Sequence, residues 1–282
     1  MQSFGKIYFI GAGPGDPSLL TVKAANVLRK ADVVITDRLV SEEILTEYVN
    51  SSAEIIPVGK QGASQVSASQ KEINDLLVEY ANQYEIIVRL KGGDVSLFSN
   101  ILDELETLSQ AGISYEIIPG ITAVSGAAAY TGIPLTARGF ATGVRILTYY
   151  QNTAIADELW KELAKFNDTL VFYMSGKSLR KVVSKLLTAG ADGEIPFVVV
   201  EQATTPNQYI HQYTLQDFFF KNDEPEFMSP SLVIIGRVTS LYQQFAWLPQ
   251  GERIEYFTNL EELNRTIEIN NGYQTYSNVS RA

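Results

Sequence analysis

The sequence predicts an α/β protein of two domains, with a parallel sheet in the amino-terminal domain and a mixed sheet in the second. Three observations carry this expectation. The first half alternates short apolar strands with amphipathic helices across short connections, the pattern of a parallel sheet covered on both faces. The apolar run Ile7-Tyr8-Phe9-Ile10 passes into a glycine turn, Gly11-Ala12-Gly13-Pro14-Gly15-Asp16-Pro17, with Leu19, Leu20, Ala24, Val27 and Leu28 following at helical spacing. Beyond Gly132-Ile133-Pro134-Leu135-Thr136, two late strands are separated only by a short helix, which makes the second sheet partly antiparallel.

In chain order, a helix over 18–30 leads to the buried strand Asp32–Ile35 and the polar exit Thr36-Asp37-Arg38. Ser41 is placed to cap the next helix, with Glu42 and Glu43 complementing its dipole. Glu54–Val58 is a third strand ending at Gly59-Lys60, and a polar loop from Gln61 closes on a capping box of Ser69 with Glu72. Ile73, Leu76, Leu77 and Tyr80 mark one helix face; Glu85–Leu90 is a strand entering Lys91-Gly92-Gly93-Asp94. A helix near 98–111, the strand Tyr115–Ile118 and a small-residue helix over 121–131 complete the first domain, expected to span 1–134. The second, 135–248, holds strands at 144–150, 169–174, 197–201, 207–214 and 231–235, with helices at 157–165, 178–189 and 215–221. Residues 249–282 are polar with weak periodicity and read as a flexible or loosely docked tail.

Composition narrows the class. At 282 residues with a formal net charge of -10, the chain shows no basic cluster, which argues against a nucleic-acid partner. It contains no cysteine, which removes disulfides, thiolate metal sites and cysteine nucleophiles. The single histidine, His211, lies in the alternating strand Gln208–Tyr213 as a half-exposed strand residue; no metal site is expected. Gly11 to Asp16 interrupt the first apolar run and no other run approaches membrane-spanning length, so the expectation is a cytoplasmic enzyme or binding protein without a membrane partner.

The glycine turn is not a dinucleotide fingerprint. That motif needs a third glycine where this chain has Asp16, and Pro14 removes a backbone N–H from the loop that would hold a pyrophosphate. A carboxylate in place of N–H donors suits a ligand that is neutral or cationic at that point. Thr36-Asp37-Arg38, Gly59-Lys60 and Gly92-Gly93-Asp94 all fall at carboxyl ends of expected strands, where open parallel sheets bind ligands. Each also has a bland reading: Asp37 as a turn cap, Lys60 as a solvated loop lysine, the glycine pair as a turn.

The ordered set of signatures resembles the tetrapyrrole (corrin/porphyrin) methylases. Gly11–Pro17 with Leu19-Leu20-Thr21 is similar to the first signature of that family, and Val88-Arg89-Leu90-Lys91-Gly92-Gly93-Asp94 to its central one. Asp37-Arg38-Leu39-Val40-Ser41, Val58-Gly59-Lys60, Pro119–Ala127 and Gly132–Thr136 also match. Further on, so do Thr169–Met174, Val200-Glu201 with Thr204-Thr205-Pro206, and Ser229–Leu232 with Ile235-Gly236. The resemblance covers about residues 5–248.

This resemblance implies a class III methyltransferase fold, a homodimer, and S-adenosyl-L-methionine bound between the domains and released as S-adenosyl-L-homocysteine. It implies that Pro14, Gly92, Gly93, Asp94, Leu97, Thr122, Ala123, Met174 and Ala203 line the cofactor site. Asp37 and Lys60 match the proposed proton acceptor and donor, and Arg38, Arg89 and Arg138 are the remaining basic residues for an acidic tetrapyrrole. The implied reaction is methyl transfer to C2 and then C7 of uroporphyrinogen III, giving precorrin-2 for sirohaem or cobalamin synthesis. The chain departs from the family after Asp94, where Val95-Ser96-Leu97-Phe98-Ser99-Asn100-Ile101-Leu102-Asp103-Glu104 replaces the usual Pro-Phe-x-Phe-Gly-Arg-Gly-Gly-Glu-Glu. Ala137-Arg138-Gly139-Phe140 likewise replaces His-Arg-Asp-Tyr.

Overall fold

The computed structural model describes residues 4–58, 69–150, 155–165, 167–223 and 225–257. The chain separates into two compact units, residues 1–122 with 257–282, and residues 123–256.

In the first unit, β1 (Lys6–Gly11), β2 (Val33–Thr36), β3 (Glu54–Pro57), β4 (Ile86–Lys91) and β5 (Tyr115–Ile118) form a sheet in the order β3-β2-β4-β1-β5. Every neighbouring pair is parallel. The two-residue period of the strands sorts their side chains into two cores. Ile7, Phe9, Val33, Ile35 and Ile87 pack with Ile73 and Leu77 of α3 (Gln70–Ala81) and Leu108 of α4 (Ile101–Gln110). Ile10, Val34, Val88 and Leu90 pack with Ala24 and Leu28 of α1 (Val22–Leu28) and Ile44 and Leu45 of α2 (Glu42–Tyr48). Because the strands are parallel, their carboxyl ends share one edge, where Gly11, Asp37, Gly92 and Pro119 begin the exit turns.

Local differences from the sequence reading have physical causes. The expected helix over 18–30 is a short 3₁₀ turn, Pro17–Leu19, followed by α1. Asp16 caps the turn by accepting from Ser18 N–H at 2.8 Å and from its hydroxyl at 2.6 Å. Thr21 then restarts the helix by accepting from Ala24 N–H at 3.3 Å. The capping box forms as expected, with Glu72 N–H donating to Ser69 Oγ at 3.2 Å and Ser69 N–H to Glu72 Oε2 at 2.5 Å. Ser41 does not cap α2: its hydroxyl is buried and makes no cap hydrogen bond.

In the second unit, β6 (Val144–Thr148), β7 (Thr169–Tyr173), β8 (Pro196–Glu201), β9 (Tyr209–Thr214) and β10 (Ser231–Ile235) run in the order β6-β7-β10-β8-β9. Only β6 and β7 are parallel, so the sheet is mixed as the sequence implies. One face packs Phe172, Phe197, Val199 and Val233 against α6 (Asp157–Lys165), α7 (Leu179–Thr188) and α8 (Leu215–Phe220). The other packs Val171, Val198 and Ile234 against α5 (Ala123–Thr131) and Tyr242 of α9 (Tyr242–Phe245). The two compact units divide ahead of α5, since Val124 and Ala127 bury their side chains in the second unit's core. Residues 250–256 also belong to this unit and are held by specific contacts, described below; residues 258–282 of the expected tail lie outside the described residues. Among the described residues, no helix is long and apolar enough to cross a membrane.

Candidate functional site

The exit turns of β1 and β4, neighbours in the sheet, are bonded to each other. Gly13 N–H donates to Gly93 O at 3.1 Å and Gly93 N–H to Gly13 O at 2.7 Å, while Ala12 N–H donates to Lys91 O at 2.8 Å. Gly13 and Gly93 hold φ of 81° and 71°, the left-handed region that glycine enters without strain. Space is equally restrictive at Gly11, where a Cβ would lie 2.6 Å from both Gly120 N and Gly93 O. The three chain segments leaving β1, β4 and β5 thus meet backbone to backbone. Asp94 ties them together, accepting from Ser96 N–H at Oδ1 (2.9 Å) and from Gly120 N–H at Oδ2 (2.9 Å). Of the expected cofactor residues, Pro14 is buried in this turn, Gly92, Gly93, Asp94, Leu97 and Thr122 are half-buried, and all lie in the first unit.

Ala123, Met174 and Ala203 lie in the second unit. Ala123 opens α5. Met174 leaves β7 with φ 55° and half of its surface exposed. Ala203 sits between Gln202 and Thr204, whose φ values of 47° and 70° are left-handed for residues that carry a Cβ. Non-glycine residues in that region mark places where the surroundings enforce a shape, commonly at ligand sites.

At the end of β2, Asp37 is 29 % exposed and receives a 2.6 Å hydrogen bond at Oδ1 from Arg89 Nη2. Arg89 is 2 % exposed, and its other donors are also occupied: Nε by Glu104 Oε1 at 3.2 Å, Nη1 by the carbonyls of Ile35 and Leu90 at 3.3 Å. Lys91 Nζ completes the group, 3.2 and 3.4 Å from the two oxygens of Glu104, which is fully buried. Two cations and two carboxylates make a neutral buried network. Burial works against the charge of Arg89, but Asp37 and Glu104 outweigh it and raise its pKa. Burial and the neighbouring Arg89 charge lower that of Lys91.

Two of the expected site residues are engaged within the protein. Arg89, expected to meet the substrate, is 2 % exposed and bonds Asp37. Asp94 spends its oxygens on its own turn and on Gly120. Arg38 is half-buried beside Asp37, and Arg138 is exposed in the second unit. Lys60 lies outside the described residues. Glu104 and Lys91 escaped the sequence reading, although a signal existed. Glu104 shares the buried face of α4 with Leu108, and Arg89 and Lys91 alternate with Val88 and Leu90 on the strand face that carries Ile87.

The turn fits a cationic ligand better than a phosphate. The N–H groups of Ala12 and Gly13 are spent on Lys91 and Gly93, Pro14 has none, and Asp16 and Asp94 flank the loop. A pyrophosphate would need a nest of free N–H groups, and these two N–H groups are already engaged.

Comparison with known proteins gives the same class. The family profile of the tetrapyrrole (corrin/porphyrin) methylases matches residues 6–218. The siroheme synthase of Acinetobacter baylyi is 44 % identical over 244 residues, 86 % of this chain and 53 % of that protein. The chain spans about half the length of the curated relatives it matches. Among solved structures, the uroporphyrin III C-methyltransferase of Thermus thermophilus aligns with a TM-score of 0.71 and 34 % identity, covering 84 % of this chain and 100 % of that one. The crystal structure of that enzyme with S-adenosyl homocysteine aligns with the same TM-score and identity, over 84 % of this chain and 94 % of that one. The chain belongs to the tetrapyrrole methylase family, and its parallel and mixed sheets are those of the class III methyltransferase fold.

Proposed function

We propose that the protein is an S-adenosylmethionine-dependent methyltransferase that methylates uroporphyrinogen III at C2 and C7 to give precorrin-2. The observation that carries this reading is the join of the Gly13–Gly93 turn to a sheet edge that also bears Asp37, in a chain 34 % identical to a uroporphyrin III C-methyltransferase over that enzyme's whole length. S-adenosylmethionine, when bound, supplies an electrophilic methyl group on a cationic sulfur. Pro14, Gly92, Gly93, Leu97, Thr122, Ala123, Met174 and Ala203 are the residues assigned to hold it; Asp94 acts by fixing the turn.

The chain's own part is alignment, exclusion of water and proton handling. Arg89 engages Asp37 Oδ1, which orients the carboxylate and leaves Oδ2 to accept the proton that the methylated macrocycle loses. Lys60 is assigned the return of a proton. Arg38 and Arg138 are assigned to the substrate's carboxylates. The reading includes a homodimer in the cytoplasm.

The test is an anaerobic incubation with S-adenosylmethionine and freshly generated uroporphyrinogen III, with product masses followed over time. A gain of two methyl groups, matched by S-adenosylhomocysteine, is expected. No mass gain from a protein that binds S-adenosylhomocysteine would move the substrate to another tetrapyrrole, or leave a binding protein without turnover.

A further inference from the structure

The second unit ends in a segment whose contacts exceed what tethering requires. Its polar groups converge on one turn, residues 201–205, all of them buried. Gln202 is 0 % exposed, and its side-chain amide finds both partners on the backbone of that segment. Nε2 donates to Ile254 O at 2.8 Å, and Oε1 accepts from Tyr256 N–H at 2.6 Å. Asn207 Nδ2 donates to the same Ile254 carbonyl at 3.1 Å. Glu201, also 0 % exposed, is gripped by Arg253 through two parallel bonds of 3.0 Å, and Arg253 Nη2 also reaches Glu226 O at 2.8 Å. Gly251 N–H donates to Gln208 O at 2.8 Å, and Gln208 Oε1 in turn accepts from Thr204 N–H at 2.9 Å. Gln250 Oε1 accepts from Ile210 N–H at 2.7 Å. Gly251 packs so closely that a Cβ would stand 2.7 Å from Asn207 Cα.

The turn so gripped is the one bent through left-handed φ at Gln202 and Thr204, on either side of Ala203. Such a shape persists only where its surroundings over-determine it. A buried amide that loses both partners has strong reason to move, because an unsatisfied polar group in the interior is costly. We propose that residues 250–256 are a strap that holds the 201–205 turn in its cofactor-binding shape, with Gln202 and Arg253 as positioning residues. The inference rests on the reading that this turn, through Ala203, contacts S-adenosylmethionine.

The experiment is calorimetric titration of S-adenosylhomocysteine into the full chain and its Q202A, R253A and R253K variants, each first checked by circular dichroism. Q202A and R253A are expected to bind at least about tenfold more weakly, with R253K recovering part of the loss because it keeps the charge but not the two-pronged grip. With uroporphyrinogen III as substrate, the defect should appear in KM for the cofactor and leave kcat at saturation near the parent value. If Q202A does not fold, the R253 pair carries the test, since that side chain is partly solvent-exposed. Parent-like affinity in folded R253A overturns the strap. A parent chain that fails to bind S-adenosylhomocysteine overturns the cofactor reading, and the strap's role falls with it.

Discussion

In the proposed reaction Asp37 is the proton acceptor of the first unit. Its charge partner Arg89 is immobilised by Glu104 and two main-chain carbonyls, so the carboxylate is held by a group that cannot swing away. Asp37→Ala is expected to lower kcat by roughly 10²- to 10⁴-fold, the range for loss of a general base. On the proposed role the Kd for S-adenosylhomocysteine should stay within about twofold, because the substitution leaves the glycine turn intact. Comparable losses in both would make Asp37 a binding residue. The sequence displayed Asp37 clearly, at a strand's carboxyl end in a polar triplet. It did not show that Arg89 is its holder, because a strand arginine reads the same whether it faces solvent or a buried glutamate. That distinction depends on Glu104, fifteen residues on in another element, and a contact of that kind leaves no trace in local spacing.

At the scale of elements, the exits of β1, β4 and β5 behave as one part. Gly11→Ala would push a Cβ onto backbone atoms of Gly93 and Gly120, which cannot rotate aside as a side chain could. A stability loss of about 1–3 kcal/mol is expected, read as a lowered melting temperature, with weakened S-adenosylhomocysteine binding. The strands themselves were legible because an all-parallel sheet buries both faces and leaves continuous apolar runs. Helix ends were less so: Pro17, Ser18 and Thr21 are all plausible starts, and the Asp16 cap of a separate 3₁₀ turn decides between them. The strap was illegible for a different reason. Residues 250–256 carry no apolar period, and their order comes from partners far away in sequence, among them Glu201, Gln202, Asn207 and Gln208.

Across the whole molecule, two units with separate cores make a single unfolding midpoint a poor description. Both tryptophans, Trp160 and Trp247, belong to the second unit, so their fluorescence follows that unit alone. Burial disfavours the Glu201 carboxylate, yet His211, Arg253 and the Met228 N–H outweigh it and hold its pKa down to about 2. A depressed carboxylate stabilises the fold above its unfolded pKa near 4.5, and that contribution disappears as pH falls toward 2. The fluorescence-detected urea midpoint should therefore drop between pH 5 and pH 3, the underlying unfolding free energy falling by up to roughly 3 kcal/mol in the limit of complete protonation. Glu201→Gln should flatten that dependence, whereas an unchanged slope would show that other carboxylates govern acid unfolding.

The strap also sets an order of events during synthesis. The first sheet has all five of its strands once Ile118 has emerged from the ribosome. The second has its last strand only at Ile235, and the amide of Gln202 gains its backbone partners only when Ile254 and Tyr256 follow. A nascent chain stalled between these points carries a finished first sheet and an unlatched Gln202 turn, and on the proposed reading that turn becomes competent to hold a ligand only when Ile254 and Tyr256 have been made.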